Sequence, residues 1–441
     1  MRMSVRHFTP ALIVALAVFV SASAAQDTTT APGVRLGLSY AAGTKPGAIV
    51  LPVQDDYDDS LRVTVQRDLD YSDRVNVIAL GESSVRGLIP GADGKINFPL
   101  VAKFGAAVLI RMVPTATGLH VSAYDVAAGK VLQSQHFLFD RRDRDWRFVM
   151  HGISDEIEQW VFGKRGIAQT RIAYVDDGTL RIVDSDGAAT REITTGRGAL
   201  SPAWSPTGES IVFTALGNSG TQVNELDVRT GRTRLISQIS AGLNITPIFR
   251  PDGRGILYAH GSGNGTDLIL ASLDSAQTRQ ITVGRGSDNT SPSFSPDGRQ
   301  IAFISGRSGQ PQVYIMDADG TNVQIFTAYR PGVRSYRASP DWSPDGRAIV
   351  YEQQNGDFQI WMMDFRDRAP KQLTSEGENE DPSWAPDSRH VVFSSTRSGQ
   401  KQLWVLDTES GRMRQITHSP GARLAAWSPI LANPEVGNYS Q

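Results

Sequence analysis

The sequence predicts an α+β N-terminal domain followed by an all-β six-bladed β-propeller. A short aromatic motif, written SPSFSPDG around Phe294, recurs with gaps of 45, 45, 48, 42 and 43 residues. Self-similarity at a period of about 40–50 residues is typical of propeller blades. Each repeat also holds four short alternating runs separated by turn residues, which fits the four strands of one blade. The motif aromatics are Trp204, Phe249, Phe294, Trp342, Trp384 and Trp427.

Residues 1–25 have the composition of a cleavable signal peptide. The start is basic, ten apolar residues run from Ala11 to Val20, and the small residues SASAA follow. A membrane-spanning helix needs roughly 20 apolar residues, so the pattern indicates export and cleavage after Ala25 rather than an anchor. The polar, turn-rich stretch 26–33 is predicted to be flexible.

The composition excludes several classes of function. The chain has 441 residues, no cysteine and a formal net charge of -2. Without cysteine there are no disulfides, no thiol catalysis, no thiolate metal sites and no lipid attachment through cysteine. The near-neutral charge gives no drive toward nucleic acid. No stretch after the signal peptide is apolar for long enough to insert into a membrane.

Residues 34–163 lack the repeat and predict the α+β domain. The runs VRLGLSY, GAIVLPV, VNVIAL, GAAVLIRMV, GLHVSAYDV and KVLQSQHFLF predict strands, with hairpins at TATG and DVAAGK. Two further segments place apolar residues on one face of a helix. These are Leu61, Val65 and Leu69 in the first helix, and Val149, Ile153, Ile157 and Trp160 in the second. A linker is predicted at 164–170.

Residues 171–430 are predicted to form the propeller. In the repeat around Phe294 the aromatic ends strand A, Pro-Asp-Gly makes the A–B turn, and RQIAFIS alternates as strand B. The first repeat, from Arg171, lacks strand A, whereas the last, Arg423–Pro429, has strand A alone. Joined, the two make one blade, so the C-terminal strand is expected to close the ring and remove open sheet edges. Residues 431–441 are left as a tail.

No catalytic motif stands out. There is no G-x-S-x-G nucleophile elbow, no H-E-x-x-H and no G-x-x-x-x-G-K-[ST], and the seven histidines lack ligand spacing. GSGNGT (261–266) fits a loop better than a phosphate cradle. DADGTN (317–322) and DSDG (184–187) lack the further ligands of a calcium loop and fit hairpin turns. No catalytic residue, metal or cofactor is therefore predicted.

The two ends of the propeller differ in their loops. The A–B and C–D turns are tight and share one end, whereas the longer, varied and polar B–C loops and D–A connections share the other. Varied polar loops on a rigid scaffold are where binding sites usually lie. We therefore predict a protein partner at this second end, around the mouth of the channel. The candidate partner-binding residues are Asn244, Asp288, Asn289, Arg337, Asn379, Glu380 and Arg423.

Taken together, these features resemble the TolB family of periplasmic propellers of the Tol-Pal system. The resemblance rests on the signal-like N-terminus, on VRLGLSYAAGTKPGAIVLPV at the start of the α/β domain, on TRIAYV at Thr170, and on six repeats of the P-x-[WF]-S-P-D-G type. It covers nearly the whole mature chain. The combination is more specific than the blades alone, since related blades also precede peptidase domains.

The resemblance implies a non-enzymatic, monomeric periplasmic scaffold without a cofactor. It implies binding of a Pal-like peptidoglycan-associated lipoprotein at the propeller mouth and of a TolA-like inner-membrane protein through the mature N-terminus, in support of outer-membrane integrity and cell division. The TolA-binding segment corresponds to residues 26–40, where the added QDTTTAPG departs from the enterobacterial pattern. Its candidate contacts are Val34, Arg35, Leu36 and Leu38.

Two other functions stay open at the level of the sequence. A glycan-binding module facing peptidoglycan would expose aromatic side chains on its loops, and Tyr336 and Phe358 are the obvious ones. A lactonase-like propeller enzyme would gather carboxylate and amide side chains around a metal in the channel. Its candidate ligands are Asp288, Asn289, Asn379 and Glu380.

Overall fold

A computed structural model of the chain describes residues 45–432, except for 90–93, 195, 218–219, 238–241, 262, 276, 285–286 and 328–334. The predicted signal peptide, the polar segment 26–33 and the first predicted strand of the α+β domain lie outside these residues. So does most of the predicted tail. Within the described ranges, no helix has the length and apolar character needed to cross a membrane.

The N-terminal domain is a five-stranded mixed sheet with helices on both faces. Its elements are β1 (Gly47–Val50), α1 (Ser60–Tyr71), β2 (Asn76–Val77), α2 (Glu82–Leu88), α3 (Phe98–Lys103), β3 (Ala106–Thr115), β4 (Gly118–Asp125), β5 (Lys130–Leu138) and α4 (Trp146–Phe162). The strand order is β2-β1-β3-β4-β5. β1 is parallel to β2 and β3, while β3, β4 and β5 form the two predicted antiparallel hairpins.

The two predicted helix faces are confirmed, because the spaced apolar residues of α1 and α4 are all buried and, apart from Val149, pack in one cluster against a face of the sheet. The short helices α2 and α3 cover the other face, where Leu88 and Val101 are fully buried. Neither helix is predicted from the sequence, since runs of six or seven residues are too short to show a helical period. Of the predicted strand VNVIAL, only β2 pairs with the sheet.

Six four-stranded antiparallel sheets follow and confirm the six-bladed propeller. In the order A to D, blade 1 consists of β29 (Arg423–Trp427), β6 (Arg171–Asp176), β7 (Thr179–Asp184) and β8 (Arg191–Glu192), and blade 2 of β9 (Ala199–Trp204), β10 (Ser210–Gly217), β11 (Gly220–Asp227) and β12 (Thr233–Leu235). Blade 3 consists of β13 (Leu243–Phe249), β14 (Gly255–Gly261), β15 (Thr266–Ser272) and β16 (Thr278–Gln280), and blade 4 of β17 (Asn289–Phe294), β18 (Gln300–Ser305), β19 (Gln312–Asp317) and β20 (Gln324–Ile325). Blade 5 consists of β21 (Tyr336–Trp342), β22 (Ala348–Asn355), β23 (Asp357–Asp364) and β24 (Pro370–Gln372), and blade 6 of β25 (Asn379–Trp384), β26 (His390–Ser395), β27 (Gln402–Asp407) and β28 (Met413–Gln415).

The predicted closure of the ring is confirmed in blade 1. There β29 pairs antiparallel with β6, with Trp427 opposite Ile172. The backbone N–H of Ser428 adds a hydrogen bond of 2.8 Å to the carbonyl oxygen of Arg171. The chain thus returns after six blades to complete the sheet with which the propeller began, and strands A of neighbouring blades contact one another around the channel.

The motif aromatics lie where strand A meets the neighbouring blade. Trp204 is 8% exposed and its Nε1 donates to the carbonyl oxygen of Ala426 in blade 1 at 3.1 Å. Trp342 is 7% exposed, packs in one buried cluster with Ile315 of blade 4, and stacks on Phe365 of its own blade, with ring centroids 4.8 Å apart. Phe294 is half-buried, and the other five aromatics are buried. The structural interpretation of the motif is confirmed, since its aromatic anchors one blade on the next.

The α+β domain rests on the tight-turn end of the propeller, over blades 1 and 6. In the C–D turn of blade 1, Asp186 accepts hydrogen bonds from Arg67, at 3.1 Å, and from Arg147. In the C–D turn of blade 6, Arg412 pairs with Asp70 at 2.6 Å. The B–C loops and D–A connections therefore lie at the opposite end, which none of the described residues of the α+β domain covers.

Candidate functional site at the channel mouth

The mouth of the channel is the end of the propeller that carries the B–C loops and the D–A connections. All seven residues predicted there lie at the beginning of a strand A or just before it. The structure separates them by burial into two groups. Four side chains are buried and hold neighbouring blades together, whereas three are accessible at the mouth.

Every strand A bends at the same place. The residue three positions before the motif aromatic has a positive φ between 45° and 54°, and the pairing of strand A with strand B shifts register there. A left-handed backbone costs a non-glycine residue roughly 1–2 kcal/mol. Because this conformation recurs in all six strands A, we interpret it as a β-bulge that is a regular feature of each blade. The residues are Ser201, Thr246, Ser291, Ser339, Asp381 and Leu424.

Three of the predicted residues are buried asparagines that link one blade to the next. Each is 0% exposed, and each donates its side-chain N–H to strand C of the preceding blade. Their amide groups therefore serve the ring rather than the accessible surface. The donor–acceptor pairs are Asn244 to the carbonyl oxygen of Thr221 at 2.8 Å, Asn289 to that of Thr266 at 3.2 Å, and Asn379 to Oε1 of Gln359 at 2.9 Å.

Arg337 holds the corresponding place in blade 5. It is 8% exposed, its Nε donates to Oε1 of Gln353 at 2.9 Å, and its guanidinium also bonds Gln312 of blade 4. Burial lowers the pKa of this guanidinium. The prediction of Arg337 as a partner-binding residue at the mouth needs correction, because its side chain turns into the contact between blades 4 and 5, where two glutamine oxygens accept from it.

Asp288, Glu380 and Arg423 are the predicted residues whose charges are accessible at the mouth. Asp288 is exposed and accepts a hydrogen bond from Oγ1 of Thr266 at 3.1 Å. Glu380 is half-buried and forms an ion pair with Lys401. Arg423 is exposed and makes no ion pair with the described residues. The prediction of a charged binding surface at the mouth therefore now depends on these three residues.

A pair of acidic residues inside the mouth, the buried Glu352 and the half-buried Asp381, was not predicted from the sequence. Oε1 of Glu352 accepts from Ser339 at 2.7 Å, and Oε2 accepts the backbone N–H of Asp381 at 3.3 Å. Burial, together with the charge of Asp381, raises the pKa of Glu352 to about 8. Burial and the charge of Glu380 likewise raise the pKa of Asp381. One signal existed, since Asp381 stands where the four preceding repeats place Ser or Thr before proline.

Two clusters of histidine and aspartate have ligand-type atoms close together, and both lie at the other end, between the α+β domain and the propeller. They are Asp68, His151 and Asp186, and Asp73, His390 and Asp407. Burial disfavours the charged His151 ring, but the carboxylates of Asp68, Asp186 and Asp184 outweigh it and raise its pKa to about 9. These carboxylates favour the charged ring, so His151 takes part in an ion-pair network that joins α1 and α4 to blade 1.

Comparison with known sequences relates the chain to one family profile and to several proteins, two of which are described here. A family profile described as the TolB beta propeller domain matches residues 159–431. The chain is 38% identical over 383 residues to the Tol-Pal system protein TolB of Xylella fastidiosa (strain M12), which covers 83% of this chain and 85% of that protein. It is 32% identical over 113 residues to the uncharacterized protein Atu1656 of Agrobacterium fabrum, which covers 25% of this chain and only 37% of that protein.

Among solved structures, the crystal structure of TolB from Acinetobacter baumannii matches with a TM-score of 0.75 and 25% identity. The match covers 88% of this chain and 97% of that one. The match therefore includes both the α+β domain and the propeller, whose combination in one chain supports the resemblance to the TolB family.

Proposed function

The chain belongs to the TolB family, and we propose that it is a non-enzymatic periplasmic component of the Tol-Pal system that binds a protein partner at the channel mouth. The observation that carries this proposal is the difference between the two ends of the propeller. One end is occupied by the α+β domain through ion pairs such as the one between the half-exposed Arg67 and the buried Asp186. The other end presents accessible loops on a closed and rigid ring, which is the usual setting of a binding surface.

The proposed partner at the mouth is the folded domain of a Pal-like peptidoglycan-associated lipoprotein. A TolA-like inner-membrane protein is proposed at the mature N-terminus. Val34, Arg35, Leu36 and Leu38 stay a prediction for that contact, because they lie outside the described residues. Export by a cleavable signal, a monomeric state, and support of outer-membrane integrity and cell division belong to the same proposal.

Binding rather than catalysis is supported by how the polar groups of the mouth are used. A lactonase-like site would need the amide groups of Asn289 and Asn379 turned toward a metal, yet both are 0% exposed and donate to the neighbouring blade. A glycan platform would need several accessible aromatics. Among the described loop residues, Tyr336 and Phe358 form one edge-to-face pair at 5.7 Å.

The proposal is tested by titration calorimetry with the purified, lipid-free domain of the peptidoglycan-associated lipoprotein from the same organism. We expect Glu380→Lys and Arg423→Glu each to weaken binding by about tenfold, since reversed charges in an interface meet like charges on the partner. The matched control is Arg347→Glu at an A–B turn of the opposite end, where the side chain is 76% exposed. An equal loss in the control, or no loss in either mouth variant, would show that the partner binds elsewhere.

The N-terminal contact has a separate test. Deletion of residues 26–33 is expected to leave the melting temperature unchanged, because this polar stretch lies outside every periodic run of the sequence. Any loss of binding should affect the TolA-like protein and spare the lipoprotein domain. If the deletion weakens both partners equally, separate sites are ruled out.

A further inference from the structure

The α+β domain and the propeller each contribute one buried histidine to the contact between them. His151 lies on α4 of the α+β domain and faces Asp184 and Asp186 of blade 1. His390 begins β26 of blade 6 and faces Asp73 of the α+β domain. Both side chains are 0% exposed. The contact therefore holds two titratable rings, one from each side, and each meets carboxylates of the other domain.

Carboxylates face both nitrogens of the His390 ring. Nδ1 lies 2.8 Å from Oδ2 of Asp387 in its own blade, and Nε2 lies 3.4 Å from Oδ2 of Asp73 across the contact. An ionised carboxylate only accepts hydrogen bonds, so each ring nitrogen that bonds one must carry a proton. The ring is therefore satisfied on both sides only as the imidazolium cation.

The His151 ring has similar surroundings. Nδ1 lies 2.8 Å from Oδ2 of Asp68 on α1. Nε2 lies 3.9 Å from Oδ2 of Asp184 and from Oδ1 of Asp186, and it has no hydrogen-bond partner among the described residues. A neutral ring protonated at Nδ1 would turn the Nε2 lone pair toward these two carboxylates, whereas the cation turns an N–H toward them. The geometry thus favours the cation here as well.

The carboxylates that cross the contact divide their oxygens between an arginine and a histidine. Oδ1 of Asp184 accepts from Arg171 at 3.0 Å, and Oδ1 of Asp73 accepts from Arg412 at 3.2 Å. In both residues Oδ2 is the oxygen that faces the histidine. The arginines therefore do not replace the histidine cations, because they bond the other oxygen.

Further charged groups lie beside the two rings, and they pair with the same carboxylates or with one another. Beside His151 they are Arg67, Arg147 and Arg171. Beside His390 they are Lys45, Arg74, Arg389, Asp407, Arg412 and Arg414.

The net effect of these groups is to hold the proton on both rings. Burial disfavours the charged His390 ring, but the hydrogen bonds with Asp387 and Asp73 outweigh it and raise its pKa, as the carboxylates around His151 raise that pKa to about 9. An unfolded histidine has a pKa of about 6.5. The stabilisation is therefore complete below about pH 6.5 and is lost as the pH rises through the higher folded values.

We infer that His151 with Asp184, and His390 with Asp73, form a proton-dependent lock between the α+β domain and the propeller. The lock holds while both rings are cations and loosens as the pH rises. A ring that loses its proton turns a lone pair toward a buried carboxylate, which leaves that oxygen without a donor and costs free energy. The acidity of the surroundings thus sets how firmly the α+β domain is held.

The linker 164–170 reports on this lock, because α4 holds it. Asp155 of α4 accepts the backbone N–H of Ala168 at 2.7 Å and that of Gln169 at 3.0 Å. Burial raises the pKa of Asp155 to about 7 and that of Glu158 well above its ordinary value, so both acids add to the loss of stability as the pH rises. A shift of α4 away from blade 1 would release the linker to a protease.

The first test reads the two rings directly by histidine-selective NMR of the full mature chain, with the signals assigned from their loss in His151→Gln and His390→Gln. At pH 7.5, where free histidine is mostly neutral, we expect both rings to give imidazolium signals. Neutral signals from both rings at this pH would overturn the inference.

The second test measures trypsin cleavage after Lys164 or Arg165 at pH 7 and pH 9.5, with each rate divided by that of a short peptide of the same sequence. We expect the wild-type ratio to rise by about tenfold or more, since each unit of pKa shift is worth about a factor of ten. His151→Gln and His390→Gln should be cut faster already at pH 7 and should change less with pH. The control is His136→Gln, at an exposed position of β5, which should follow the wild type.

Three results of the cleavage test would overturn the inference. The first is a wild-type ratio that stays constant between the two pH values. The second is a pH dependence in both buried-histidine variants that equals the wild-type one, since the titrating groups are then others, such as Glu158. The third is an equal acceleration of wild-type cleavage by EDTA at pH 7, which would mean that a metal ion rather than a proton holds the contact.

Discussion

At the scale of the residue, one position of strand A links each of four blades to the preceding blade, through an amide side chain in three of them and a guanidinium in the fourth. Asn244, Asn289 and Asn379 use a neutral amide, and Arg337 uses a guanidinium, to donate to the beginning of strand C in the preceding blade. All four are buried, and buried polar groups need partners inside the protein. Their polarity therefore reflects the construction of the ring, and the accessible chemistry of the mouth lies in the residues beside them.

The motif aromatics lead to a prediction of stability. Trp342→Ala should lower the free energy of unfolding by about 3–5 kcal/mol, because it removes a buried ring and leaves a cavity against Phe365. Chemical denaturation measures the change, with Leu235→Ala as an exposed control expected below about 1 kcal/mol. A shift for Trp342→Ala as small as that of the control would mean that the ring does not anchor blade 5.

The buried acid Glu352 leads to a prediction of pH dependence. Its pKa is about 8 in the folded protein against an ordinary value of 4.5, so between these values the folded state keeps a proton that the unfolded state has lost. Stability should therefore fall as the pH rises through this window. Glu352→Gln removes the titration and keeps the hydrogen-bonding shape. We expect it to match the wild type near pH 4 and to be more stable near pH 9 by about 2–4 kcal/mol.

The measurement for Glu352 is urea denaturation across that pH range. Parallel stability profiles for the wild type and Glu352→Gln would contradict the prediction, because they would mean that this carboxyl group titrates alike in the folded and unfolded states.

At the scale of the element, the ring depends on a strand that comes last in the chain. Strand β29 is the strand A of blade 1, and its Trp427 donates through Nε1 to Oγ1 of Thr170 at 2.8 Å. The same strand accepts from Trp204 of blade 2. One five-residue strand thus joins the two ends of the propeller and part of the linker.

Deletion of residues 423–441 should therefore open the propeller. Strand β6 would lose its neighbour and become an unprotected edge, which invites aggregation. We expect a large loss of stability or aggregation, read by thermal melting and size-exclusion chromatography. A truncated protein that remains monomeric with the wild-type melting temperature would be incompatible with closure through β29.

At the scale of the whole molecule, the contact between the α+β domain and the propeller is ionic rather than apolar. Among the described residues, no hydrophobic cluster joins the sheet and helices of the domain to the blades. The contact is made instead by ion pairs in which the partly exposed Arg67 and Arg147 share the buried carboxylate of Asp186, beside the protonated His151. Charges removed from water need their partners, so this contact is sensitive to the loss of one charge.

Asp186→Asn should loosen this contact. The change leaves Arg147, Arg67 and the His151 cation without their shared carboxylate. Because both arginines are partly exposed, we expect a cost of about 1.5–3 kcal/mol, the range for a hydrogen bond to a charged group. We expect calorimetry to show the α+β domain melting earlier, and limited proteolysis to cut faster within 164–170. Asp319→Asn, at an exposed C–D turn of blade 4, serves as the control. Equal proteolysis of both variants would mean that Asp186 does not hold the domains together.

The sequence by itself determined the architecture, because the features that specify it repeat locally along the chain. The period of the aromatic motif, the missing strands at the two ends of the repeat, and the apolar faces of α1 and α4 are all visible within short windows, and each agrees with the fold. The short helices α2 and α3 escaped because their windows are too brief for a period to show.

Only the tertiary structure decided which polar residues belong to the mouth, because burial and proximity depend on residues far apart in the chain. Arg337 and the three asparagines look like surface residues in the sequence, and they become internal links only when the preceding blade packs against them. Glu352 and Asp381 meet because two blades adjoin. His390 faces Asp73 across 317 residues of sequence at 3.4 Å, a distance over which no local pattern carries information, and contacts of this kind decide which end of the propeller stays accessible.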